Sequence, residues 1–316
     1  MGQYALRRLW QMAPVLLIVS IAVFSIIHFI PGNPAQIIAG PNATPEQLAA
    51  LEQRLGLDKP LWTQYLIWLR NVLSGELGVS YINNYPVRQL IAQRIPATVE
   101  LALASTVIGV AIALPLGILA AVRPGSTFDF VTTTFSALSF AIPSFYLLIL
   151  LIMLFSVELR WLPPSGRPSL ADQPGLWVKS IILPAFTLGI GVAAKLTRYL
   201  RSALLEVLDQ DYIRTARAKG LRERITLWRH ALPNALIPVV TVLGLQLGDL
   251  LSGAIIVESI YAWPGVGRLT IQAIEWRDYA LLQANVLFIV LAFLLVNLIT
   301  DLTYGLLDPR IRYNGG

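Results

Sequence analysis

Six apolar runs, at residues 12–30, 99–122, 130–157, 177–200, 235–257 and 281–307, restrict this chain to very few folds. Each is long enough, at about 20 residues, to cross roughly 30 Å of hydrocarbon. Backbone amides in lipid must find partners within the protein, and runs broken by so few turn residues satisfy them only as helices. The expectation is therefore an all-α polytopic membrane protein with six transmembrane helices. A composition of 56% hydrophobic and 13% charged residues, with a mean hydropathy of +0.65, agrees. The first run has no small-residue cleavage site behind it, so it reads as a retained span. Pro115 with Gly117, Pro143 and Pro184 are expected to kink spans two, three and four.

A net charge of +6 invites a nucleic-acid reading until the basic residues are placed. With the N-terminus in the cytosol, cytosolic segments hold Arg7, Arg8, Arg123, Arg201, Arg214, Arg217, Lys219, Arg222, Arg224, Arg229, Arg310 and Arg312. The two short outer loops hold only Arg160, Arg167, Arg268 and Arg277. The charge thus signals orientation, with both termini cytosolic, and no nucleic-acid partner is expected. There is no cysteine, and His28 and His230 are the only histidines, so neither thiolate nor histidine-cluster metal sites are available. The division that follows is a terminus and first span at 1–30, an external insertion at 31–97, and a five-helix core at 98–316 carrying a cytosolic loop at 201–232. In the insertion Leu61, Tyr65, Trp68 and Leu69 fall at helical spacing, with Trp62 alongside. That face is expected to pack on the membrane region or its interface, with contact to a substrate or delivery protein as the alternative.

The loop between spans four and five is the most informative segment: Asp211-Tyr212-Ile213-Arg214-Thr215-Ala216-Arg217-Ala218-Lys219-Gly220-Leu221, running on to Leu232 and Pro233. Asp211 is expected to cap a short basic helix and Gly220 to end it in a left-handed conformation. A solvated cationic loop is the plain alternative.

The spacing of Ala216, Gly220, Leu232 and Pro233 resembles the cytosolic loop of ABC importer permeases, although Arg214 and Thr215 stand where that motif has Glu and Ala. The form here looks like the one used by the dipeptide, oligopeptide and nickel branch. Further similarity lies in Phe29-Ile30-Pro31-Gly32-Asn33-Pro34, Gly56-Leu57-Asp58-Lys59-Pro60, Gly75-Glu76-Leu77-Gly78 and Arg94-Ile95-Pro96-Ala97-Thr98. It continues through Val257-Glu258-Ser259, Trp263-Pro264-Gly265-Val266-Gly267-Arg268-Leu269 and Asp308-Pro309-Arg310-Ile311-Arg312-Tyr313. By this resemblance the chain is identified as a B-type subunit of that family. The resemblance implies the type I importer fold, an inner-membrane location and half of a translocation path. It also implies a second permease subunit, two ATPase subunits seated on residues 211–221 other than Ile213, and an external solute-binding protein. The cargo stays open between dipeptides, longer peptides, nickel chelates and modified sugars.

A phosphate-binding loop needs Gly-Lys-Ser/Thr, and none of the four lysines follows a glycine. The subunit is therefore expected to be non-catalytic and without a cofactor, with ATP and Mg on its ATPase partners. Gln246, Asp249 and Ser252 form a polar stripe in span five and, with Ser139 and Ser144, are the candidate lining of the path. Asp249 is expected either to attract a cationic group of the cargo or to pair with a neighbouring basic or hydroxyl group. The competing class is a secondary transporter or channel, which would draw its ion-coupling groups from Glu100, Asp249, Glu258 and Asp301.

Overall fold

The computed structural model describes residues 2–29, 34–39 and 43–307. Residues 30–33 and 308–313, which carry two of the family-like motifs, lie outside the described residues. The helices are α1 (Gly2–Phe29), α2 (Pro34–Ala39), α3 (Pro45–Leu55), α4 (Leu61–Leu73), α5 (Val87–Val122), α6 (Thr127–Ala141) and α7 (Ser144–Ile152). They continue with α8 (Pro174–Leu208), α9 (Asp211–Ala218), α10 (Glu223–Ile225), α11 (Leu232–Ile260), α12 (Val266–Glu275) and α13 (Tyr279–Leu307). Wide π-helical turns extend α7 over Met153–Glu158 and join α10 to α11 over Thr226–Ala231. Among the described residues strand pairing is limited to one bridge between Val79 and Pro86.

Among the described residues the six apolar runs are helical apart from a break at Ile142–Pro143. Four continuous helices are long and apolar enough to cross a membrane. The pair α6 and α7, bent by 99°, is long and apolar enough only when the two are taken together, as one broken span or a re-entrant loop. In α1 the apolar stretch covers only Trp10–Ile26, because polar and basic residues occupy its first turns, although the 28-residue helix is roughly 42 Å long. The bend falls where proline removes a donor: Pro143 caps α7 and Ile142 adopts extended backbone. Pro115 and Pro184 sit inside the continuous helices α5 and α8.

Helix α8 lies at the centre, its most extensive neighbour being α5. The approach is set by glycine. A Cβ on Gly109 would lie 2.6 Å from Val192 Cγ1, and one on Gly189 would lie 2.9 Å from the Ser105 carbonyl oxygen. Around this seam Leu101, Leu188, Val192, Leu196, Leu200 and Leu204 are buried, while Leu103, Val107, Phe130 and Val131 point outward. Gly109→Leu is expected to separate α5 from α8 and cost about 3 kcal/mol or more, seen as loss of folded, detergent-extractable subunit. A variant that extracts and melts like the parent would contradict this packing.

Ionic contacts fix the helix ends. Arg201 grips Asp129 with two nitrogens, one at 2.7 Å, joining α8 to α6. Arg8 meets Asp301 at 3.2 Å between α1 and α13. In the insertion, α4 turns Tyr65 and Trp68 onto Phe24 of α1, with ring centroids 5.5 and 5.8 Å away, and the Tyr65 hydroxyl lies 2.8 Å from Ser20 Oγ. The aromatic face thus packs on the first membrane helix, while Leu61 is exposed, contrary to its expected place on that face. Farther along, Ser80 donates to the buried Asp278 carboxylate, pinning the insertion to the α12–α13 corner.

Candidate functional site

Helix α9 shows one face to the protein and the rest to solvent. Ile213 is fully buried and Ala216 nearly so, with Ile213 joining a core that includes Leu204, Ala231 and Leu232. Asp211, Tyr212, Arg214, Thr215, Arg217, Ala218, Lys219, Gly220 and Leu221 are exposed. Buried anchors three residues apart hold so short a helix against the body. The N-cap is Gln210 rather than Asp211, which lies in the first turn, where its carboxylate favours the positive end of the helix. The other end behaves as expected: Gly220 has φ +80°, its N–H donates to Arg217 O at 2.9 Å, and Leu221 N–H donates to Ala216 O at 3.3 Å. These two bonds make a Schellman stop.

Past that turn, Arg217 reaches Glu223 at 2.7 Å and so spans the corner between α9 and α10. Asn234 Nδ2 donates to the Tyr212 hydroxyl at 3.1 Å, tying α9 to the start of α11. Arg214 bonds Asp209 at 2.7 Å, and that carboxylate holds its pKa above the usual arginine value. Lys219, Arg222, Arg224 and Arg229 make no ion pair among the described residues, and Tyr212, Leu221, Ile225 and Trp228 stand exposed between them. The surface is basic and carries exposed apolar side chains.

A second constellation gathers motifs that are far apart in sequence. The fully buried Glu258 accepts from Thr98 Oγ1 at 2.8 Å and from the Arg268 backbone N–H at 3.0 Å. Thr98 Oγ1 in turn accepts from Val266 N at 2.9 Å. Trp263 Nε1 donates to Ala97 O at 2.7 Å, and Arg167 sits 5.8 Å from the Trp263 ring. The Glu258 carboxylate thus closes the N-terminal end of α12 and locks it to α5 and α11. A Cβ on Gly265 would run into that carboxylate, which accounts for the glycine.

Of the expected path residues, Gln246 is buried, and Asp249 and Ser252 are exposed along α11. Lys195 of α8 reaches across to Gln246 Oε1 at 2.7 Å and Asp249 Oδ2 at 3.0 Å, supplying the basic neighbour that span five lacks. Ser139, on α6, bonds back to Phe135 O, and Ser144 opens α7; neither shares a hydrogen bond with the α11 stripe among the described residues.

Comparison with known proteins then decides the family. The model of the binding-protein-dependent transport system inner membrane component matches residues 113–313, and that of its N-terminal region matches 1–102. The chain belongs to this permease family. A dipeptide transport system permease protein, DppB, of Alkalihalophilus pseudofirmus is 42% identical over 98% of this chain and 99% of its own length. A glutathione transport system permease protein, GsiC, of Escherichia coli is 43% identical over 99% of this chain and all of its own. The MetNI methionine ABC transporter, in inward-facing form, shares the fold with a TM-score of 0.58 over 71% of this chain and 98% of that chain, at 20% identity.

In this permease the four carboxylates that a secondary transporter would have required are all engaged. Glu100 takes two bonds from Arg167, at 2.9 and 2.7 Å, and one from Trp177 Nε1; Asp249, Glu258 and Asp301 have the partners named above. In the sequence Thr98, Glu258, Gly265 and Arg268 belong to separate motifs, with Glu258 also a candidate ion-coupling carboxylate, and nothing there joins the four. The available signal was a carboxylate directly after the apolar run that ends at Val257, followed five residues later by Trp-Pro-Gly-Val-Gly.

Proposed function

We propose that this permease subunit forms half of an inward path for peptides or similar small solutes, with the α9–α10 corner as the seat of a cytosolic ATPase. The exposed, Schellman-stopped basic helix at 211–218 is the observation that carries this reading, because a rigid projection fixed to both α8 and α11 transmits force to two spans at once. A second permease subunit, two ATPase subunits holding ATP and Mg, and an external binding protein complete the assembly. The basic residues support cytosolic termini, an external insertion at 31–97 and a core at 98–316. Relatives named for dipeptide and glutathione transport support peptide cargo.

Two tests follow. The purified subunit alone should hydrolyse no ATP, whereas the assembled complex in lipid should import peptide only with ATP, and a proton uncoupler should leave proteoliposome import intact. Uptake driven by a proton gradient without ATP would reject the reading. Within the path, Lys195 can be retained by Gln246 while Asp249 turns to an amino group of the cargo. Asp249→Asn is expected to change stability by less than about 1 kcal/mol, since the pair is largely exposed, yet to lower uptake of peptides with a free amino terminus several-fold relative to their N-acetylated forms. Equal loss for both would assign Asp249 to assembly instead.

A further inference from the structure

Between α6 and α8, above the Arg201–Asp129 pair, lies a cavity of about 280 Å³ lined by Thr132, Thr133, Ser136, Phe140, Thr197 and Arg198, with Arg201 at its end. Two features set it apart. Many helical hydroxyls here turn back to the carbonyl four residues earlier, as Ser105, Thr106, Thr187 and Thr300 do, and Ser136 within the cavity does the same onto Thr132 O. Thr132 and Thr197 are just as deeply buried, at 2% and 1% exposure, yet their hydroxyls have no partner among the described residues. Buried donors left without an acceptor are costly, and unlike the unpartnered Thr226, Tyr279 and Asn285 these two line an open cavity, where their hydroxyls are available to a bound acceptor. The second feature is charge. Asp129 is committed to Arg201 and to the Gly125 N–H, whereas Arg198 makes no ion pair among the described residues. The local balance of Arg198, Arg201 and Asp129 is therefore one positive charge.

We propose that this cavity binds a monoanionic oxygen acid, its oxygens accepting from the Thr132 and Thr197 hydroxyls and from the Arg198 guanidinium. Both a cargo carboxylate and the phosphodiester of a membrane lipid present that chemistry. The cargo source rests on the reading of this chain as half of a peptide path; the site itself does not. One net positive charge suits a monoanion better than a doubly charged phosphate, and the planar guanidinium fits two oxygens at once.

The chain has no cysteine, so Thr133→Cys places a single thiol of this subunit on the cavity wall. In the assembled complex, with partner thiols replaced and peptide uptake confirmed, a sulfonatoethyl methanethiosulfonate should label Cys-substituted 133 about tenfold faster than its trimethylammonium counterpart. Arg198→Gln should erase that preference, and acetate should slow labelling in the parent but less in Thr197→Val, which keeps the shape and removes the hydroxyl. Protection by a free-acid peptide but not by its C-terminal amide identifies cargo as the source; slowing in zwitterionic phospholipid nanodiscs relative to detergent, lost in Arg198→Gln, identifies the lipid phosphodiester. Equal rates for the two reagents, or a preference unchanged by Arg198→Gln, would overturn the site. Acetate protection without any peptide protection would keep the site while removing cargo as its occupant, and would leave the peptide-path reading to the uptake experiments above.

Discussion

Glu258→Ala is expected to destabilise the folded subunit by about 3 kcal/mol or more, because it removes a buried acceptor and leaves a space within the Thr98–Trp263 corner. The Arg268 N–H loses its partner at the first turn of α12, and Thr98, which also accepts from Val266, loses the group that orients its hydroxyl. Glu258→Gln keeps one carbonyl oxygen and the side-chain volume but sets an amide against a donor, so an intermediate loss of about 1–2 kcal/mol is expected. Thermal unfolding of the purified complex, followed in parallel with the yield of extractable subunit, measures both. An ion-coupling carboxylate would give the reverse pattern: intact folding of both variants with transport abolished. Melting of Glu258→Ala within a degree of the parent would remove the capping role assigned to this residue.

The second large effect is expected at Gly220, and it should fall on coupling rather than on folding. With φ +80° and open space where a Cβ would sit, the position resists side chains for backbone reasons alone. Gly220→Val adds roughly 1–2 kcal/mol of strain, which the exposed corner relieves by abandoning the two bonds to Ala216 and Arg217. The end of α9 then loses its fixed direction. Transport and cargo-stimulated ATP hydrolysis should drop together by tenfold or more, while the variant inserts and melts normally. Gly220→Asn is the discriminating control, since asparagine tolerates the left-handed region and should retain most activity. Equal loss in both variants would point to the surface chemistry of the corner instead of its backbone geometry.

These two residues mark how far the sequence reaches. Apolar run length alone established an all-helical chain, since lipid offers no alternative to internal backbone pairing, and Gly220 was legible because only a few residues enter the left-handed region without strain. Pro143 announced its bend in the same way, through a missing donor. Local rules missed by one residue at the start of α9, where Gln210 and not Asp211 takes the cap. They were silent on partnership. Nothing near Asp249 in the chain announces Lys195, 54 residues away, and nothing near Glu258 announces Thr98, 160 residues away. Hydrophobic periodicity and turn chemistry act over a few residues and so can be read in order along the chain. The pairing of buried polar groups depends on which helices the glycine seams allow to touch, and that was decided only when α5, α8, α11 and α12 packed together.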